Sequence, residues 1–253
     1  MSTPDQCARL EVSTPSSRAT IAAYDVIAPE YDLPEHVTTR SLEEASSAVL
    51  RHADALLAAG GGGKVLELGC GTGAQTRLLA ELVHPALLIA TDPAARMLAV
   101  ARERAMAGVV WERATATIAV SRHHDAQLVV GTLADPYLNI SLVSLLARRL
   151  ADQATILFTV PSRRWAMRER AYRLRVPAAR TRFRLRDERD VEVDSLAYDV
   201  DGLKALFGSP AWTVVDIGYE LGPPVAKQPQ PEVAWIAVRT VSARRHAPAA
   251  GSC

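Results

Sequence analysis

The 253 residues balance 29 Lys and Arg against 28 Asp and Glu, and a net charge of +1 argues against nucleic acid or an anionic membrane as partner. The length suits one large domain, or one domain with a small lid, and an ample core. Cys7, Cys70 and Cys253 form neither a disulfide framework nor a zinc site, and there is no membrane-spanning or signal-peptide run, so a soluble cytoplasmic protein is expected.

Residues 1–18 are rich in Ser, Thr and Pro and are expected to be a disordered tail. Tyr24 and Tyr31, in the run 24–32, can pack a helical cap on the core, and His36 and Arg40 follow within its reach. Ser41-Leu42-Glu43-Glu44 has the form of a capping box and should open a helix with an apolar stripe from Leu42 to Leu57. Gly60 to Gly63 should end that helix. Val65 to Leu68 reads as a first strand and Ala74 to Val83 as the helix after it. Leu87 to Ala90 reads as a second strand, closed by Thr91-Asp92-Pro93, with Pro93 starting a helix that carries Met97, Leu98 and Ala101 on one face. Val109 to Trp111 is a weak third strand, Asp125 to Gly131 a fourth and Ala154 to Val160 a fifth. Asn139 should cap the helix between the last two, and the His123-His124 pair should face solvent.

Residues 163–197 interrupt the alternation with eleven arginines against six carboxylates. In 181–186 the apolar residues are odd-numbered and the arginines even; after a polar turn, 191–194 repeats that parity with acids. This pattern predicts a hairpin with one apolar face and a ladder of opposite charges on the other. The surplus positive charge lies in 163–180, where Arg163, Arg164 and Arg168 are the candidate substrate contacts. Asp199 should cap a last helix, and Trp212 to Ile217 and Val233 to Val241 read as two final strands. A second disordered tail is expected over 243–253.

Between the first strand and its helix lies Glu67-Leu68-Gly69-Cys70-Gly71-Thr72-Gly73. A strand that turns sharply into a helix needs backbone conformations that glycine adopts cheaply, and the absent Cβ atoms admit a ligand to the N–H groups at the helix start. Asp92 follows about 20 residues later, the offset at which a Rossmann-type site places its ribose-binding carboxylate, although Asp92 also suits a helix N-cap. Acid-x-Gly-x-Gly-x-Gly resembles the first motif of the class I S-adenosylmethionine-dependent methyltransferases. The run from Tyr24 to Asp32 resembles the Y-D-x-x-A-x-x-Y-D element that many small-molecule members carry ahead of it.

The resemblance implies an α/β fold over residues 19–242: a seven-strand, mostly parallel Rossmann-like sheet with helices on both faces and a reversed terminal strand. It adds an N-terminal helical cap and a hairpin lid at 163–197. It implies S-adenosyl-L-methionine as cofactor, with Glu67 and Asp92 flanking one crevice. Gly69, Cys70, Gly71 and Gly73 would border the methionyl part, and Glu67 would help fix its ammonium. Asp92 would hold the ribose, beside Pro93 and Met97. Tyr31, Gly131 and Thr132 would wall the pocket. The family's acid after the third strand is missing, so Thr115 or a backbone carbonyl would meet the adenine. A hydroxyl acceptor would need a base, for which Asp135, Tyr137 and His36 are the candidates. The expected partner is a small molecule, in secondary metabolism or elsewhere, and the chain a monomer or homodimer. No serine-histidine-acid order and no metal-ligand spacing stands out. The rivals are a cofactor-binding protein without methyl transfer, an NAD-dependent oxidoreductase and a nucleic-acid methyltransferase. Glycine spacing too tight for a pyrophosphate argues against the oxidoreductase, and near-zero charge against the nucleic-acid enzyme.

Overall fold

The computed structural model describes residues 18–241; both expected tails lie almost wholly outside them. Five parallel strands form the centre of the sheet: β1 (Lys64–Leu68), β2 (Leu87–Asp92), β3 (Val109–Arg113), β4 (Leu128–Gly131) and β5 (Thr155–Pro161). The apolar runs of β1, β4 and β5 are buried on both faces, as central parallel strands require, while β3 is a half-exposed edge. A separate hairpin, β6 (Arg180–Arg184) and β7 (Asp190–Asp194), precedes the last strands, β8 (Trp212–Leu221) and β9 (Glu232–Thr240). The seven-stranded order is β3-β2-β1-β4-β5-β9-β8, with β9 antiparallel to both neighbours. This is the Rossmann-like sheet that the resemblance implies, reversed strand included.

On one face lie α2 (Val37–His52), α3 (Asp54–Gly61) and α4 (Ala74–Val83), sealing a core around Val49, Leu57, Leu79 and Val130. Of the other helices, α6 (Ala116–Arg122), α7 (Ile140–Arg149) and α9 (Val200–Leu206) cover the opposite face around Leu66, Leu146, Phe158 and Ile236. Beside the sheet tips, α1 (Arg18–Ile27) packs on α5 (Ala95–Glu103) and on β7. After β5, α8 (Arg163–Ala166) continues as a π-helical turn, Met167–Leu174. Because the order reverses between β1 and β4, the crossover helices leave on opposite faces and a crevice opens at the strand tips.

Several boundaries differ from expectation. The first long helix begins at Val37, and Ser41 donates to the Pro223 carbonyl at 2.7 Å instead of capping. That helix also breaks at Ala53, so the stripe to Leu57 belongs to two helices. The helix after β2 starts at Ala95, two residues beyond Pro93. Asn139 and Asp199 cap their helices as expected, each accepting backbone N–H groups. The hairpin has the predicted register, with Arg180 opposite Asp194, Arg182 opposite Glu192 and Arg184 opposite Asp190. Its apolar face, Phe183, Leu185 and Val193, packs on Ile27 of α1. His123 does not face solvent: Glu112 holds its Nε2 at 2.7 Å. Among the described residues no helix is long and apolar enough to cross a membrane.

Candidate functional site

The glycine loop connects β1 to α4 through left-handed residues: Gly69, Gly71 and Gly73 have φ of +69°, +55° and +80°. Only glycine takes up such a series without strain. Asp92, at the tip of β2, binds this loop directly. Its Oδ2 accepts the Gly71 N–H at 3.0 Å and its Oδ1 the Ala94 N–H at 2.8 Å. Opposite the loop, Tyr137 donates its hydroxyl to the Leu68 carbonyl, fixing the segment after β4 against the first strand.

The resulting crevice is lined by Tyr31, Gly69, Cys70, Gly71, Asp92, Pro93, Met97 and Thr132, all expected there, and by Tyr137, expected as a base. It also takes in Tyr24 and Thr72 from the two motifs, and Glu43 and Gln75, for which no local pattern gave warning. The N-terminal cap closes it. Asp32 accepts Arg104 Nη2 at 2.7 Å and the Thr72 hydroxyl at 2.9 Å, while Asp25 accepts the Arg96 N–H at 2.8 Å.

Four expected residues do not line this crevice. Glu67 points under the loop toward Thr76 of α4 and is 1 % exposed; burial pushes it up to about 7, against the pull of the Thr76 hydroxyl. Gly73 is a packing position, where a Cβ would stand 3.0 Å from Trp111. Gly131 is another, where a Cβ would meet the Phe158 ring at 2.6 Å. Thr115 caps α6, accepting the Ile118 N–H, and only its neighbour Ala116 reaches the crevice.

Asp135 and His36 line a second chamber, of about 1100 Å³, whose wall of Tyr24, Tyr31 and Leu133 is shared with the crevice. Leu133 sits at φ +49°, a conformation costly for a branched side chain, and its N–H is held by Thr159 Oγ1 at 2.9 Å. Asp135 accepts the Ser195 hydroxyl, which itself accepts Arg170 Nη2 at 2.6 Å. Burial pushes Asp135 up to about 6, against the pull of Arg170 and Ser195. Arg163, Arg164 and Arg168 line neither cavity; Arg164 is bound to Glu232 and lies over the Tyr219 ring at 4.6 Å. The chamber's buried arginine is instead Arg170, one of eleven in its segment and marked by nothing in the alternation.

Residues 65–139, from β1 to the residue after Tyr137–Leu138, match the family described as a methyltransferase domain. Those residues carry a methyltransferase domain. The fold superposes on solved structures of low identity. The DhpI-SAM-HEP complex gives a TM-score of 0.61 at 20 % identity, covering 88 % of this chain and 99 % of that one. A structure described as conversion of a disulfide bond into a thioacetal group during echinomycin biosynthesis gives 0.54 at 22 %, covering 79 % and 83 %. The N-methyltransferase NodS from Bradyrhizobium japonicum WM9 gives 0.53 at 15 %, covering 79 % and 97 %. No curated protein sequence matches significantly.

The crevice fits S-adenosylmethionine on three counts. A buried carboxylate stands at the β2 tip; a Cβ on Gly71 would meet nothing within 4 Å, so the loop backbone is open to a ligand; and Glu43 adds a second carboxyl group beside α4. Burial, the largest influence, pushes Asp92 up to about 6, while the Ala94 and Gly71 N–H groups pull the other way. The ionised form would accept hydrogen bonds from ribose hydroxyls. Donor affinity is therefore expected to fall as pH drops through 6, approaching about tenfold per pH unit below it. Titration calorimetry between pH 5 and 8 measures this; an affinity flat across that window would show that Asp92 does not bind the donor.

Proposed function

We propose that this methyltransferase transfers the donor's methyl group to a heteroatom of a small molecule seated in the second chamber. The observation carrying this reading is the shared wall of Tyr24, Tyr31 and Leu133, which would set an acceptor directly beside the crevice. Asp92 would hold the ribose and the glycine-loop amides would border the methionyl part. Glu43, pushed up to about 8 by burial and by Asp32, would ionise against the donor's ammonium. The bound donor supplies an electrophilic methyl, so the chain's task is to hold the nucleophile at near-attack distance and take its proton. Asp135 suits the second role, its acidity set near neutrality and one oxygen held by Ser195. Tyr137 does not, because its hydroxyl is committed to Leu68 and burial raises its pKa.

The hairpin and π-helical turn would act as the lid over the chamber, which they wall through Phe183, Arg182 and Arg170. Low-identity neighbours acting in echinomycin biosynthesis and as an N-methyltransferase support a small acceptor, as in secondary metabolism. Incubating the protein with methyl-labelled donor and fractionated metabolite pools tests the reading. Label appearing in a low-mass fraction is expected; donor binding without label in any fraction would favour a cofactor-binding protein that does not transfer.

A further inference from the structure

Resting on that reading of the chamber, we propose that its acceptor is a neutral aromatic molecule bearing a proton on the reacting heteroatom, a phenol in the simplest case. The charges on the wall decide this. Arg173 is held by Glu169, Arg182 by Glu192 at 3.0 Å and Arg184 by Asp190 at 3.2 Å. Arg170 spends Nη1 on the carbonyls of Ala178 and Ser195, at 3.0 and 2.7 Å, and Nη2 on the Ser195 hydroxyl, while its Nε is buried out of a ligand's reach without a partner. Glu35, the remaining acid of the lining, is paired with Arg186.

Asp135 is different. Ser195 occupies Oδ2, and among the described residues no other side chain donates to this carboxyl. The chamber therefore presents an open acceptor, which a ligand must meet with an O–H or N–H. A carboxylate or phosphate would set anion against anion in a desolvated site. A fixed ammonium would face Asp135 and the adjacent Arg170 guanidinium together, gaining little to offset its lost hydration. A neutral donor meets neither penalty.

The opposite walls favour a flat ring. Tyr24, Tyr31, His36, Trp165 and Phe183 all border the chamber, and the Phe183 ring lies 5.8 Å from Tyr31 and 5.7 Å edge-on to His36. An aromatic ligand can extend that cluster in the same stacked and edge-on geometries. In the reaction, a lone pair on the acceptor oxygen forms the new O–C bond as the C–S bond of the donor breaks. The bonding pair leaves on sulfur, and the hydroxyl proton passes to Asp135. Charge balances, since the sulfonium becomes a neutral thioether as Asp135 becomes a neutral acid.

Titration calorimetry on the full chain, with and without saturating S-adenosylhomocysteine, tests the inference with three probes of one ring system: naphthol, naphthoate and naphthylmethylamine. Naphthol is expected to bind about tenfold tighter than either charged analogue, and Phe183→Ala to weaken it about tenfold. Phe183 also packs on α1 and against Tyr31, so a thermal melt and circular dichroism serve as the check that this variant is folded. Tighter naphthoate or naphthylmethylamine binding to the wild type overturns the inference, as does homocysteine-analogue binding with no naphthol binding. Failure of the analogue itself to bind would instead refute the donor site on which the inference rests.

Discussion

Asp92→Ala is expected to weaken S-adenosylmethionine binding about 100-fold, or about 2.7 kcal/mol. In the proposed site the carboxylate would accept the paired ribose hydroxyls, and hydrogen bonds to a charged group contribute about 1.5–3 kcal/mol each. It also ties the Gly71 and Ala94 N–H groups to the β2 tip, so the substitution loosens the loop that borders the methionyl part. Thermal stability should move far less than affinity. The lost N–H partners are offset by relief of a buried charge, the same desolvation that lifts the native carboxyl. Calorimetry beside a thermal melt separates the two effects. A folded variant binding within about threefold of wild type would show that the ribose is held elsewhere.

Gly69→Ala should act on the fold rather than on one ligand contact. At φ +69° the new methyl brings left-handed strain of roughly 1–2 kcal/mol. It would also stand 2.7 Å from the Tyr137 ring and 2.8 Å from its hydroxyl. Tyr137 must then shift, and its buried hydrogen bond to the Leu68 carbonyl breaks, removing about 1–3 kcal/mol more. A fall in Tm of about 10 °C is expected for a domain of this size. Gly71→Ala is the contrasting case: its Cβ meets nothing in the protein, so strain alone lowers its stability, while its methyl enters space that the ligand needs. Equal melting temperatures for the two variants would contradict this division.

The sheet was legible because its signals are local. Buried strands appear as short apolar runs, and the glycine series at Gly69, Gly71 and Gly73 announces one turn that other residues cannot make cheaply. The hairpin was legible for the same reason, its parity fixing which residues share a face. Glu67 was misplaced because strand alternation decides its direction: it shares the face of Val65, toward α4, and lies opposite Ala90, two residues short of the tip that Asp92 occupies. Gly131 and Gly73 were read as ligand contacts, whereas each yields room to a ring, Phe158 and Trp111. The chamber was illegible because its polar wall assembles Asp135, Arg170 and Ser195 from three separated elements. No spacing along the chain encodes that meeting. Ser41 failed as a cap because Pro223, far along the chain, offered its hydroxyl a buried acceptor.

A crystal structure of the full chain with S-adenosylhomocysteine tests the central claim most directly. The account predicts ligand density along the glycine loop, both ribose hydroxyls within hydrogen-bond distance of the Asp92 carboxylate, and the sulfur directed toward Leu133 and the chamber. Ligand seated away from Asp92, or a sulfur facing away from that wall, would contradict it.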